Sequence, residues 1–364
     1  MLFRSGEFAD RILQMTAVAG DKPTATLLAQ LDELVALIRA DELRKAWLDD
    51  SRVLAALGQA YRELGDHKQA ARWFQLGARR AYSQVQIGQL ELLVNALAGA
   101  TGDDTAAAHT AAEGIIRRLD SIAGEDSLRW PLGPDDQGRS TAASERRCLE
   151  GGLVLSRAAG LRGEAAAAEL QWAARLFAMS YRQKLLRHED AQRRTFALSN
   201  ALLAAALAAL AGGNEAIAID ALSFCEADDA EEIAEVPDKP TFALPADPAA
   251  WQHEAGVLLD ELDTGGSGAT FWHHTNRMEI VGASAVFART LDRSASLEGL
   301  DAVMPLLRKA MILWPSPVER DSLAQRFLLI RDLAPATGRD PEFEAAIALV
   351  VAQALEAIAR QPAT

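Results

Sequence analysis

Residues 54–78 read LAALGQAYRELGDHKQAARWFQLGA, and this stretch decides the fold. Apolar residues recur at helical spacing on both sides of Gly65, which predicts two helices joined by a tight turn. Gly65 is expected to end the first helix in the left-handed conformation that glycine adopts without strain. Gly58 and Ala70 are expected where the two antiparallel helices cross, because only a small side chain permits a close approach there.

The spacing within this hairpin resembles the tetratricopeptide repeat, in which Leu-Gly is followed by Tyr, a turn, Ala and Phe at fixed intervals. Leu54 stands where the pattern has its first Trp, and Tyr82 where it has its closing Pro. Such a hairpin cannot bury its apolar face alone, so the resemblance implies an all-α superhelical solenoid of tetratricopeptide-like hairpins. The rings of Tyr61 and Phe74 are expected to fill the gap to the next hairpin. The expected packing residues are Leu57, Gly58, Tyr61, Gly65, Ala70 and Phe74.

The same helical periodicity continues along the rest of the chain. Residues 1–122 are expected to form N-terminal helices with one clear repeat at about 51–82. Residues 141–225 are expected to form degenerate central repeats, and residues 249–362 to form C-terminal repeats on the same solenoid. The helices are predicted at about 27–38, 52–64, 67–80, 83–97, 104–122, 142–159, 164–186, 194–211, 215–224, 249–262, 270–291, 297–313, 317–333 and 341–360.

Two stretches interrupt the helical pattern. Residues 123–140 are rich in Gly, Pro, Asp and Ser, which is typical of a long loop that is either functional or flexible. Residues 226–248 begin with the acidic run EADDAEEIAE and continue through four prolines. Because like charges and prolines disfavour a packed helix, this second stretch is predicted to be a linker or a mobile loop.

The order of several longer motifs suggests a narrower resemblance. The hairpin is followed by LEGGLVLSRAAGL at 149–161, in which Gly152 takes a place like that of Gly58, and later by AARLFAMSYRQ, FALSNALLAAAL, TFWHHTNRMEIVGASAVF and WPSPVERDSLAQRFLLI. Over about 25–335 this order is similar to the helical repeat region of bacterial tetratricopeptide proteins that accompany caspase-like or other effectors. It is also similar to the TRAFs-binding region of apoptosis-signal-regulating kinases. The resemblance implies a stand-alone regulatory module that binds a partner.

The composition limits the kinds of partner. The formal net charge is −14 and the sequence pI is about 5.0, which argues against nucleic acid and anionic membrane surfaces. The longest apolar run, Ala201 to Ala211, is too short to span a bilayer. Residues 1–12 contain no apolar segment of a secretory signal, and Cys148 and Cys225 have no disulfide or metal spacing. A cytoplasmic location is therefore expected.

No motif predicts catalysis. The sequence contains no Walker loop, no GxGxxG and no GxSxG, and the glycines of 265–268 follow no predicted strand. The six histidines show neither HxxxH nor HExxH spacing, and the paired carboxylates at 228–229 and 231–232 lie in the predicted linker. We therefore expect no catalytic residue, no bound metal and no cofactor.

The leading hypothesis is a non-catalytic scaffold that binds a protein or peptide and regulates a separately encoded effector. The first helix of each resembled repeat lines a concave groove, and such a groove can clamp an extended peptide or a helix. The alternatives are an enzyme or a small-ligand sensor with a pocket near Trp272, His273, His274 and Asn276. The groove residues expected on the hairpin are Arg52, Ala55, Gln59, Arg62 and Glu63.

Overall fold

The computed structural model describes only part of the chain. The described residues are 8–9, 11–12, 24–41, 44–66, 68–70, 72–74, 76–77, 110, 114, 137–186, 189–223, 247–264, 270–313, 315, 317–334 and 340–360. The chain divides into two compact units, the first covering residues 1–124, 316–318 and 362–364 and the second residues 125–315 and 319–361. The described residues form helices and turns and no strand, so the all-α prediction is confirmed for them.

The first unit contains two described α-helices, α1 (Thr24–Ala40) and α2 (Ser51–Glu63). A 3-10 helix at Lys45–Asp49 lies between them in the chain and contacts both. Helix α1 buries apolar side chains every three to four residues, which is the stripe of an amphipathic helix. Beyond α2, residues 68–70, 72–74 and 76–77 are also helical, in agreement with the second helix predicted at 67–80.

The second unit contains ten described helices, among which are four of 21 to 24 residues. These four are much longer than α2, which has 13 residues. The ten helices are α3 (Gln137–Ala158), α4 (Gly163–Leu186), α5 (Ala191–Gly212), α6 (Ala216–Ser223), α7 (Pro248–Thr264), α8 (Phe271–Leu291), α9 (Glu298–Asp301), α10 (Val303–Ile312), α11 (Pro317–Leu333) and α12 (Pro341–Ala359).

Helix α5 lies at the centre of the second unit. It packs against α4, α6, α7 and α8, while α3 packs on the far side of α4 and α10 packs against both α8 and α12. Its Ala- and Leu-rich sequence makes it the one described helix long and apolar enough to cross a membrane, but 72% of that apolar window is buried inside the protein. Neighbouring helices therefore occupy most of its apolar surface.

Two predictions of local structure need correction. The loop expected at 123–140 ends earlier, because α3 begins at Gln137. The helix expected at 297–313 is divided at Ala302 into α9 and α10. Pro305 explains the division, since its ring has no N–H to donate and would clash with the carbonyl of Asp301 in a continuous helix. The predicted helices at 83–97 and 104–122, apart from helical residues 110 and 114, lie outside the described residues, as does most of the 226–248 stretch.

Candidate functional site

The hairpin of the first unit has the close packing that its small residues predict. A Cβ atom built on Gly58 would lie 2.6 Å from the ring of Phe74, so the ring packs directly against the glycine backbone. Leu57, Ala70 and Phe74 are all buried. The ring can lie this close to the backbone because the glycine has no side chain.

The turn of the hairpin is also as predicted. Gly65 has a positive φ of 79°, and its N–H donates to the carbonyl of Arg62 while the N–H of Asp66 donates to the carbonyl of Tyr61. These two bonds form a Schellman motif, which satisfies the last carbonyls of α2. Asp66 then begins the second helix, because its carboxylate accepts from the N–H of Gln69 at 3.0 Å.

Tyr61 joins the hairpin to the helix that precedes it. Its side chain is buried, and its hydroxyl donates to the Oδ1 atom of Asp32 on α1 at 2.5 Å. Burial and the nearby carboxylate of Asp32 raise the pKa of Tyr61, so the hydroxyl keeps its proton. The expected contact of Tyr61 and Phe74 with the next hairpin falls on residues outside the described part of the chain.

The expected groove residues do not share one exposed surface. Ala55 is only 2% exposed, so it cannot face a partner; its methyl group suits the packed side of α2 as well as the open side. Gln59, Arg62 and Glu63 are half-buried, and the last two already interact within the protein. The side chain of Arg52 lies outside the described part. Gln59, Arg62 and Glu63 are thus the three of the five residues whose side chains are known to be partly exposed.

The alternative pocket residues on α8 point in different directions. Trp272 is 43% exposed, His273 and His274 are partly exposed and stack edge to face, and Asn276 is buried. Burial, followed by the charges of His273 and Lys309, lowers the pKa of His274. The two histidine rings touch each other, but Trp272 is exposed while Asn276 is buried, so the four side chains do not share one environment. None of the four residues lines the cavity found further along the same helix.

That cavity lies within the second unit, between α5, α8, α9, α10, α11 and α12. It has about 750 Å³ of empty space, counted together with its open mouth. Most of its wall is aliphatic or aromatic, and its polar side chains are Ser199, Asn200, Glu279 and Arg326. A concave and mainly apolar site with a few polar groups is the usual form of a small-molecule site.

The two charged groups of the cavity wall are paired with each other. The guanidinium of Arg326 lies 2.5 Å from the carboxylate of Glu279, whose side chain is only 9% exposed. The same guanidinium lies 4.6 Å above the ring centre of Phe196. Burial raises the pKa of Glu279, and the charge of Arg326 opposes this shift. The pair links α8 to α11 and gives the cavity no net charge when both groups are ionised.

The polar groups on the α5 side of the cavity are directed to their own helix. The amide of Asn200 donates to the carbonyl of Phe196 at 2.7 Å, and the hydroxyl of Ser199 donates to the same carbonyl at 3.4 Å. Bonds of this kind to a carbonyl in the preceding turn are common for short polar side chains within helices. The hydroxyl of Ser199 and one N–H of Asn200 are therefore already bonded within α5.

A second group of charged side chains supports the opposite part of α5. The Tyr181 hydroxyl donates to Glu254 at 2.7 Å, and burial and the charge of Glu254 raise the pKa of Tyr181. This hydrogen bond joins α4 to α7. Two ion pairs lie nearby: Arg194 with Glu261 joins α5 to α7, and Lys184 of α4 pairs with Glu189, which precedes α5.

Comparison with protein-family models, curated proteins and solved structures gives no match to this chain. Within the described ranges, no three side chains of His, Cys, Asp or Glu gather as a metal site would require. Cys148 is buried and is not part of a disulfide, so it packs as a small apolar side chain.

Sequence reasoning missed the cavity. Its residues come from six helices spread over residues 199–351, and no local pattern connects them. The one available signal was Glu279, an acid between Met278 and Ile280 on a helix that is otherwise largely apolar at this point. A charge in that position predicts a buried partner, because an unpaired buried carboxylate is very costly.

Proposed function

We propose that this chain is a non-catalytic interaction module, a superhelical solenoid of tetratricopeptide-like hairpins that binds a protein or peptide in the cytoplasm. In this proposal the bound partner, or the loss of it, controls a separately encoded effector. The observation that carries the proposal is the direct packing of Gly58 against Phe74 together with the left-handed turn at Gly65, which fits the helix–turn–helix pattern of the resembled repeat.

The proposed contact surface is the half-buried side of α2 formed by Gln59, Arg62 and Glu63. An amide, a guanidinium and a carboxylate side by side offer both donors and acceptors to the backbone of an extended peptide. A guanidinium has five N–H donors, so Arg62 can keep its interaction within the protein and still donate to a carboxylate of the partner. The acidic balance of the whole chain favours a partner with basic groups around that contact.

Site-specific photo-cross-linking tests this proposal. A benzophenone amino acid at Gln59 is expected to capture one protein repeatedly from the native cell extract, whereas the same group at Glu33, an exposed residue of α1, is not. Arg62→Glu should reduce the capture at Gln59 by about tenfold, because it reverses the charge of the contact. Equal capture from both positions, or capture that Arg62→Glu leaves unchanged, would argue against partner binding through α2.

A further inference from the structure

We propose that the cavity of the second unit is a binding site for a small, uncharged, apolar molecule. All its residues belong to the second unit, so the site is independent of the partner surface proposed on α2. Three observations carry the proposal: the apolar wall, the internal pairing of the charged groups, and the hydrogen bonds that Ser199 and Asn200 make within α5.

The wall favours an apolar occupant over water. Residues such as Met278, Phe327 and Ile347 offer no hydrogen bond, and water gains little in a space whose lining cannot bond to it. Cavities lined in this way stay dry and take up apolar molecules, because the occupant restores the dispersion contacts that an empty space lacks. The volume of about 750 Å³ includes open solvent at the mouth, so the apolar wall would enclose only part of an occupant with two or three rings.

The charges of the wall select against ionic occupants. An anion that competes for Arg326 would leave the carboxylate of Glu279, only 9% exposed, without its partner, and a cation that competes for Glu279 would leave Arg326 without its carboxylate. A neutral molecule disturbs neither group. The hydroxyl of Ser199 and one N–H of the Asn200 amide already bond to the carbonyl of Phe196, which reduces the number of polar groups open to an occupant.

Two fluorescent probes that share a ring system test the selection for charge. N-phenyl-1-naphthylamine is uncharged, and 1-anilinonaphthalene-8-sulfonate carries a sulfonate on the same skeleton. The folded chain is expected to bind the neutral probe saturably with a 1:1 stoichiometry, and the anionic probe with a Kd at least about tenfold higher. Equal affinity for the two probes, or no saturable binding of the neutral one, would overturn the proposal.

Matched variants of α12 locate the binding site. Val350 lines the cavity, whereas its neighbour Leu349 is 58% exposed and does not. Val350→Phe fills the space and should raise the Kd of the neutral probe by about tenfold or more, while Leu349→Phe should leave it within about twofold. An equal effect of both variants would show binding on the outer surface of α12 and would contradict the proposal.

A second pair of variants, on α11, repeats the test in case the Val350→Phe protein does not fold. Leu329 lines the cavity and Leu328 does not, so Leu329→Phe and Leu328→Phe repeat the comparison on α11, with helical content checked by circular dichroism. Glu279→Gln then tests the pairing of charges, because it leaves Arg326 without its carboxylate. This variant should reduce the ratio of the two Kd values, anionic probe over neutral probe, by about tenfold. An unchanged ratio would show that the ion pair does not set the selectivity.

Discussion

Replacing Gly58 by alanine probes the packing on which the first hairpin depends. The new Cβ atom would lie 2.6 Å from the ring of Phe74, about 1 Å closer than two carbon atoms in ordinary contact. Phe74 is 1% exposed, so its ring has no open space into which it can withdraw. Overpacking of this kind costs about 1–3 kcal/mol, and the better helix propensity of alanine offsets up to about 1 kcal/mol of it.

Gly114 provides the matched control in the same unit. It is helical and exposed, and a Cβ atom there would meet nothing within 4 Å. Gly114→Ala therefore gains the helix propensity without the clash, and we expect the Gly58→Ala protein to be less stable than the Gly114→Ala protein by about 1–3 kcal/mol. Urea unfolding followed by circular dichroism measures this difference for the two variants and the parent chain.

The double variant Gly58→Ala with Phe74→Leu separates the clash from other effects. If the ring is what the new methyl group meets, the two changes together should cost at least about 1 kcal/mol less than the sum of the single changes. Additive costs, or a Gly58→Ala protein as stable as the Gly114→Ala protein, would refute the close approach of helix and ring.

Three further outcomes follow from single contacts. Gly65→Ala should cost about 1 kcal/mol in the free energy of unfolding, because the left-handed conformation strains any residue with a Cβ atom; an unchanged urea midpoint would contradict the Schellman turn. Burial raises the pKa of Glu279 in the folded state, so the stability due to this group is present below its unfolded pKa and decreases as the pH rises through its folded pKa. Thermal melts across the acidic range should show this dependence in the parent chain and a smaller one in Glu279→Gln. Hydrogen bonds from Arg289 lower the pKa of Asp340, so its effect on stability depends on pH in the opposite direction. The stability due to Asp340 is present above its unfolded pKa and is lost as the pH falls through its folded pKa. Asp340→Asn should flatten the acid limb of the same melts, and an unaltered limb would refute the role of this pair.

The helices were predictable from the sequence wherever glycine or proline marks their ends. The break at Gly212-Gly213 and the prolines at 317 and 341 placed helix boundaries within a few residues of those observed. Gly213 adopts a positive φ of 72° just beyond α5, which is the conformation that such an end requires. The division at Ala302 escaped notice because proline is compatible with the first turn of a helix as well as with the end of the one before it.

The direction in which a residue faces was harder to predict. Gly151 and Gly152 are adjacent, yet only Gly151 meets another helix, with a Cβ position 3.2 Å from the ring of Phe177. The sequence comparison with Gly58 chose Gly152, which has open space around it. Adjacent residues differ by about 100° around a helix, and the neighbouring helix that decides between them is known only from the tertiary structure.

The cavity could not be predicted for the same reason. Glu279 and Arg326 are 47 positions apart in the chain, and each alone looks like an ordinary charged residue on a helix. Only the packing of α8 against α11 brings them together beside an apolar space. The groove residue Ala55 shows the converse case, because a methyl group fits a buried face and an exposed one equally well in a helix pattern.

The most direct measurement of what the second unit holds is the anomalous scattering of bromine in crystals of the chain soaked with bromobenzene. We predict one strong bromine peak inside the cavity, within van der Waals contact of Val286, Phe327 or Val351, and no comparable peak after a soak with 4-bromobenzoate. A bromine peak confined to the outer faces of the helices, or equal occupancy of the cavity by the carboxylate, would contradict a neutral apolar binding site.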